Sequence, residues 1–306
     1  MANENIPQKE SIAEVLKKYK EATAGNPAGN PENLAIGNQI PRMPAFNPAD
    51  FEKTMSKETD PDLMTSYESI KLPSKGMFYQ NGISEVNVEY MTSRDEDLLT
   101  TPSLIESGTV IDLLLKRKVK SANIVPENLL PGDRNAIILF LRISSYGPDY
   151  SVQVNDPRTG MPFKTTVDLG KLRHKEIEEL PDQFGHFQVE LPMRKKIATI
   201  RLLTSGEDNI LFKKAEAYKE ASGADYSEYS TMKLKASIVA INEKTDRSYI
   251  DKFVDAMPAL DAVKIRRKIL EVSPDVDMDY EFTAPDKIFK FKASLTVGID
   301  FFFPST

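Results

Sequence analysis

Two spacings of apolar residues run along this chain, and the places where one gives way to the other mark its elements. Ile12, Val15, Leu16 and Tyr19 fall at i, i+3, i+4 and i+7, the single stripe of an amphipathic helix. Ser11 is its cap, Glu14 completes a capping box, and Gly25 stops it. Residues 25–62 then carry no periodicity, and proline recurs at 27, 31, 41, 44, 48 and 61. Periodicity returns near Tyr67. Val86, Val88 and Tyr90 alternate as in a strand, with turns at Pro73–Gly76 and Asn81–Gly82. "SRDEDLLTTPSLIESGTVIDLLLKRKVK" reads as helix, with Pro102 in a first turn and a break at Ser107 and Gly108. "PGDRNAIILFLRISSYG" reads as a buried helix ended by Gly147, and a hairpin turning at Asp156–Gly160 follows. "HFQVEL" and "KIATIRLL" are two strands. Four helices come next: one capped by Thr204 or Ser205, "TMKLKASIVAIN", one capped by Asp246, and one started by Pro258. The end returns to strands in "MDYEF" and "KIFKFKASLTVGIDFFF".

The expected architecture is α+β. A helix-rich body with short antiparallel strands, residues 65–306, follows an N-terminal arm, residues 1–64, made of a helix on a proline-rich tether. A helix of some fourteen residues is marginal alone and needs a surface to pack on. That surface belongs either to the same body or to a neighbouring subunit. A weak internal repeat, "LRISSYGPDYSVQVNDP" against "ILEVSPDVDMDYEFTAP", predicts two hairpins that could pair into one small sheet. In the final strand Val297, Ile299, Phe301 and Phe303 would share one face and Phe302 the other. Phe302 is then either an interface anchor or part of a second small core.

Composition narrows the function. A net charge of −6 argues against nucleic-acid binding through bulk charge. The chain has no cysteine, which removes disulfides and thiolate metal sites. No apolar run approaches the roughly 20 residues of a membrane span. His174 and His186 share no pattern. Nucleophile elbows, phosphate loops and zinc-protease motifs are lacking, and the paired carboxylates are what 46 acidic residues make inevitable. Nothing calls for a cofactor or an enzyme. The candidate partner-binding residues are Ile12, Val15, Leu16, Tyr19 and Phe302.

Four stretches carry a resemblance: "YESIKLPSKGMFY", "VEYMTSRDEDLLTTPSLIESGTVIDLLL", "LLPGDRNAIILFLRISSYGPDY" and the ending "IDFFFP". They resemble the baseplate hub subunit and hub assembly protein family of T-even-type contractile-tailed bacteriophages. The resemblance covers most of residues 67–306 and none of the arm. It implies a structural role in the baseplate hub through protein–protein scaffolding. The alternative it leaves is a tail-assembly chaperone absent from the virion, with a cell-wall hydrolase as a third reading. The implied partners are other hub or tail tube proteins, with room for a homo-oligomer, and the implied location is the virion tail, assembled in the host cytoplasm. Many members of that family resemble zinc ribbons at two Cys-Pro-x-Cys knuckles. The matching positions here, "NDPRTG" and "TAPD", keep the prolines and lack the cysteines, which implies a metal-free ribbon-like pair of hairpins.

Overall fold

The computed structural model describes residues 66–79, 81–121, 124–296 and 299–302. The expected arm helix and tether, with Ile12, Val15, Leu16 and Tyr19, lie outside these residues.

The described chain is α+β, with eight α-helices and nine short strands. Strand β1 (Tyr67–Lys71) pairs antiparallel with β2 (Glu85–Glu89), and alternation drives Val86 and Val88 inward. Three helices follow: α1 (Ser93–Leu99), α2 (Pro102–Glu106) and α3 (Val110–Lys118). The break at Ser107 and Gly108 lies between the last two, as expected from the sequence. Helix α4 (Pro131–Tyr146) starts with Pro131 in its first turn, where no amide partner is lost. It ends at Gly147, whose φ of 80° favours glycine. Hairpin β3 (Asp149–Asn155) and β4 (Pro162–Asp168) comes next. Strands β5 (His186–Glu190), β6 (Ile197–Arg201) and β7 (Ile238–Ile241) form a three-stranded antiparallel sheet. Between β6 and β7 lie α5 (Ser205–Ser222) and α6 (Tyr229–Ser237), and after β7 lie α7 (Arg247–Asp255) and α8 (Ala259–Val272). Hairpin β8 (Asp279–Thr283) and β9 (Lys290–Ser294) closes the strand set.

Two hydrophobic cores organise these elements. The first draws on Leu72, Val86, Val88 and Leu99, on Leu114, Leu115, Ile137 and Leu141, and then on Phe282, Leu295, Phe301 and Phe302 from the far end of the chain. The second is continuous in sequence, from Phe187 to Val272, and packs β5–β7 against α6, α7 and α8.

Three expectations are corrected. "TMKLKASIVAIN" is a helix only to Ser237. Its last residues, Ile238–Ile241, are strand β7, because β-branched side chains pair there with β6 and bury on the second core. The two hairpins do not join into one sheet and remain separate two-stranded ladders. The final run is also not one strand. It stops at Ser294, and residues Ile299–Phe302 form a 3₁₀ turn.

Candidate interaction surfaces

Buried acidic residues of the quoted motifs hold the fold. Asp133, in the first turn of α4, is buried and accepts from the Ser74 amide at 2.9 Å and from the Tyr79 hydroxyl. That hydroxyl also accepts from the Leu130 amide at 2.9 Å. The "LPSKGMFY" loop is thus pinned to the start of "PGDRN". Burial pushes the Tyr79 hydroxyl far up and also raises the Asp133 carboxyl, although the bonds from Tyr79 and Ser74 oppose the latter. Asp95 plays the matching part in "SRDEDLL". It accepts from the Thr92 amide at 2.8 Å and meets the ammonium of buried Lys118 at 2.6 Å. Burial opposes its ionised form, but the bonds from Lys118 and Thr92 win and hold the carboxyl below its usual value. Lys118 donates onward to the Tyr90 carbonyl at 2.9 Å, so α1, α3 and the end of β2 are tied at one point. His174 makes a backbone bridge with Val276, and His186 sits 3.9 Å from Asp182. The two histidines share no site. Among the described residues no group of three His, Asp or Glu is placed to hold a metal ion.

Phe302 is a correction. A strand would have turned it away from Phe301, whereas a 3₁₀ turn advances about 120° per residue and lets both rings reach one core. Phe301 is 1% exposed and Phe302 0%. Their rings lie edge-on at 6.3 Å, and Phe301 meets Tyr150 at 5.1 Å. The Phe301 carbonyl accepts from Arg142 Nε at 2.7 Å. The expected interface anchor is therefore packed inside the body. Phe303 lies outside the described residues.

The hairpin turns do meet. Arg158, in the β3–β4 turn, bridges Asp156 at 3.0 Å and Asp286 of the β8–β9 turn at 2.8 Å. Its guanidinium lies 4.2 Å over the Phe289 ring, and Phe163 and Phe291 pack edge-on at 6.3 Å below. The turns of "NDPRTG" and "TAPD" are therefore side by side, as the ribbon analogy requires. Two large apolar side chains stand free at these tips, Met161 at 71% exposure and Ile288 at 86%.

A groove runs on from the start of α4. One part, about 390 Å³, is lined by Ile111, Ile138 and Phe212. The other, about 450 Å³, is lined by Leu234, Ile269 and Leu270. Both parts include Pro131, Asp208 and Tyr229, so they adjoin at these residues. The Tyr229 hydroxyl donates to Asp208 at 2.6 Å, and Lys233 meets the same carboxylate at 2.8 Å. Neither the groove nor the Arg142 cradle was visible in the sequence, since each is assembled from distant segments.

Open apolar surface at the hairpin tips and in the groove suits contact with other proteins. Residues 64–302 match the family described as T4 bacteriophage base plate protein, and the chain belongs to that family. No curated protein and no solved structure matches the chain. Membership makes this a structural protein of the bacteriophage base plate, with other tail components as partners. No described helix is long and apolar enough to cross a membrane.

Proposed function

We propose that the chain is a hub subunit of the base plate, a non-catalytic scaffold whose body, residues 65–306, is held to neighbouring hub or tail tube proteins by the arm of residues 1–64. One observation carries this reading. The family match spans residues 64–302 and leaves the proline-rich segment and its amphipathic stripe outside it. An amphipathic stripe too short to stand alone is suited to a partner's surface. Assembly would take place in the host cytoplasm. Quantitative mass spectrometry of purified virions tests the proposal. A fixed, stoichiometric copy number is expected. Absence from finished virions, with presence in assembly intermediates, would identify an assembly chaperone in its place. A peptidoglycan zymogram of the purified chain should show no clearing, and clearing would establish a hydrolase.

A further inference from the structure

We propose that the second core carries two complementary poles through which copies of this chain join head to tail. The basic turn between β5 and β6 of one copy meets the acidic segment 176–182 of the next. The basic pole is a turn held rigid from beneath. Buried Asp261, in the first turn of α8, accepts from the amides of Met193 at 2.7 Å and Arg194 at 3.1 Å. Arg194 donates to the Ala256 carbonyl, and its guanidinium lies 5.4 Å from the centre of the Phe253 ring. The Lys196 ammonium lies 5.9 Å from the same ring and donates to the Tyr249 hydroxyl at 3.3 Å. Lys244 sits 4.6 Å over the Tyr249 ring. Ring faces steady these cations without neutralising them. Among the described residues, Arg194, Lys195, Lys196 and Lys244 form no ion pair. Glu190 and Glu243, which flank them in sequence, leave them unpaired, and Asp246 is spent on capping α7. Cations gathered in this way repel one another, and a carboxylate surface brought to them relieves the repulsion.

The same body offers such a surface. Residues 176–182 contain Glu176, Glu178, Glu179 and Asp182 and no base. Lys175 is turned away, onto the carbonyls of Leu270 and Glu271 at the end of α8. Lys268 holds Glu179, and Asp182 accepts from the amides of Phe184 and His186 at 2.8 Å. This fixes the segment, while Glu176 and Glu178 stay exposed and without a partner among the described residues. Each pole also has exposed apolar side chains, Met193 and Leu260 at the basic one and Leu180 and Phe184 at the acidic one. That matters because a single exposed ion pair contributes little on its own. The apolar flanks, with a net charge of −6, also favour a protein surface over a nucleic acid as the occupant.

The poles lie at opposite ends of the same elements. The β5–β6 ladder runs from His186 opposite Arg201 to Glu190 opposite Ile197, so the acidic segment enters at one end and the basic turn closes the other. Helix α8 repeats the separation, with Asp261 under the basic turn and its last carbonyls under Lys175. Its 14 residues rise about 20 Å. One copy therefore cannot join its own poles, whereas a second copy can. Two unlike patches make a heterologous contact, which closes into a ring or runs on as a filament.

Charge exchange in the full-length chain tests this. Sedimentation of the unsubstituted chain should show concentration-dependent association, weakened at least about tenfold as salt rises from roughly 0.05 M to 0.5 M. Lys195→Glu with Lys244→Glu should abolish it, and so should Glu176→Lys with Glu178→Lys. Mixing these two variants should restore it, because one then has two acidic poles and the other two basic ones. Restoration also shows that both variants are folded. Lys213→Glu with Lys214→Glu, an equal change on α5, should leave association intact. A chain that sediments as a monomer at every concentration overturns the proposal. So does association that survives either pole's reversal, or a mixture that stays dissociated. If reversal of the basic pole blocks entry into base plates while self-association is unchanged, these cations serve a different partner and the proposal is wrong.

Discussion

The guanidinium of Arg142 is enclosed in the body, and backbone carbonyls take the place of its water. It donates to the oxygens of Phe301 at 2.7 Å, Gly147 at 3.0 Å and Asp149 at 3.3 Å. It thereby joins the end of α4, the start of β3 and the terminal 3₁₀ turn. Phe301 and Phe302 are held in this setting, so truncating either leaves a large void in a core that cannot fully collapse. Phe301→Ala and Phe302→Ala should each cost about 3–5 kcal/mol, read from denaturant unfolding. An unchanged midpoint for Phe302→Ala would restore the anchor reading. Asp95 gives a second test at this scale. Asp95→Asn leaves the buried Lys118 ammonium with only the Glu89 carboxylate at 3.4 Å, and should cost somewhat less than the roughly 3–5 kcal/mol of a buried pair broken outright. Because the carboxyl is held below its ordinary value, its contribution is complete above the unfolded value near pH 4 and is lost as pH falls below it. The wild-type loss of stability on acidification should therefore be shallower in Asp95→Asn. The sequence reading gave the paired carboxylates no weight of their own. It could not show that they serve caps and buried pairs, because that depends on Lys118 arriving from another helix.

Element boundaries were largely legible in the sequence, and element pairing only in part. Pro131, Gly147 and Asp246 marked helix ends because each acts on its own backbone, through a missing amide, a left-handed φ and a side-chain cap. Ile238–Ile241 was misassigned because a short apolar run has no period of its own, and β6 decides its state. Gly132 shows the same limit. A Cβ there would lie 2.0 Å from the Pro274 carbonyl, since α4 touches the backbone that follows α8. Gly132→Ala should cost about 1–3 kcal/mol or more, measured by thermal unfolding. Gly160→Ala, with open space around it, meets no such clash and pays only for its turn conformation. The hairpin pair was foreseen from its repeated proline turns, though its fastening was not. Amides of Ile288 and Phe289, then Arg158, depress the Asp286 carboxyl to about 2. A depressed carboxyl stabilises above its unfolded value and loses this as pH falls, so the clasp should open between about pH 4 and 2. Carboxyl NMR of Arg158→Ala should show the Asp286 midpoint rising, though not fully, since the two amides remain.

At the scale of the whole body, chain order and core membership do not coincide. The second core is built from a continuous stretch, Phe187 to Val272. The first core joins residues 72–169 to residues 282–302, and so it closes only when the chain has passed through the second. Loop-closure entropy is paid mainly by the first core, while the second takes its buried residues from one stretch and adds only Phe78 from outside it. The two should therefore respond differently to the loss of the chain's end. A chain ending at residue 296 lacks both terminal rings and the oxygen that accepts from Arg142 Nε, leaving that buried cation short of a partner. Slow-exchanging amides of α4, β2 and β3 should lose protection in that variant. Those of β6, α7 and α8 should keep most of theirs, because no second-core contact has been removed. Ile265→Ala makes the reciprocal case: it opens a cavity in the second core at about 2–5 kcal/mol and should leave exchange in α4 nearly unchanged. Hydrogen exchange read by mass spectrometry on both variants decides the point. Equal loss of protection in both cores, in both variants, would mean that the body unfolds as a single cooperative unit and that the division into two cores has no energetic counterpart.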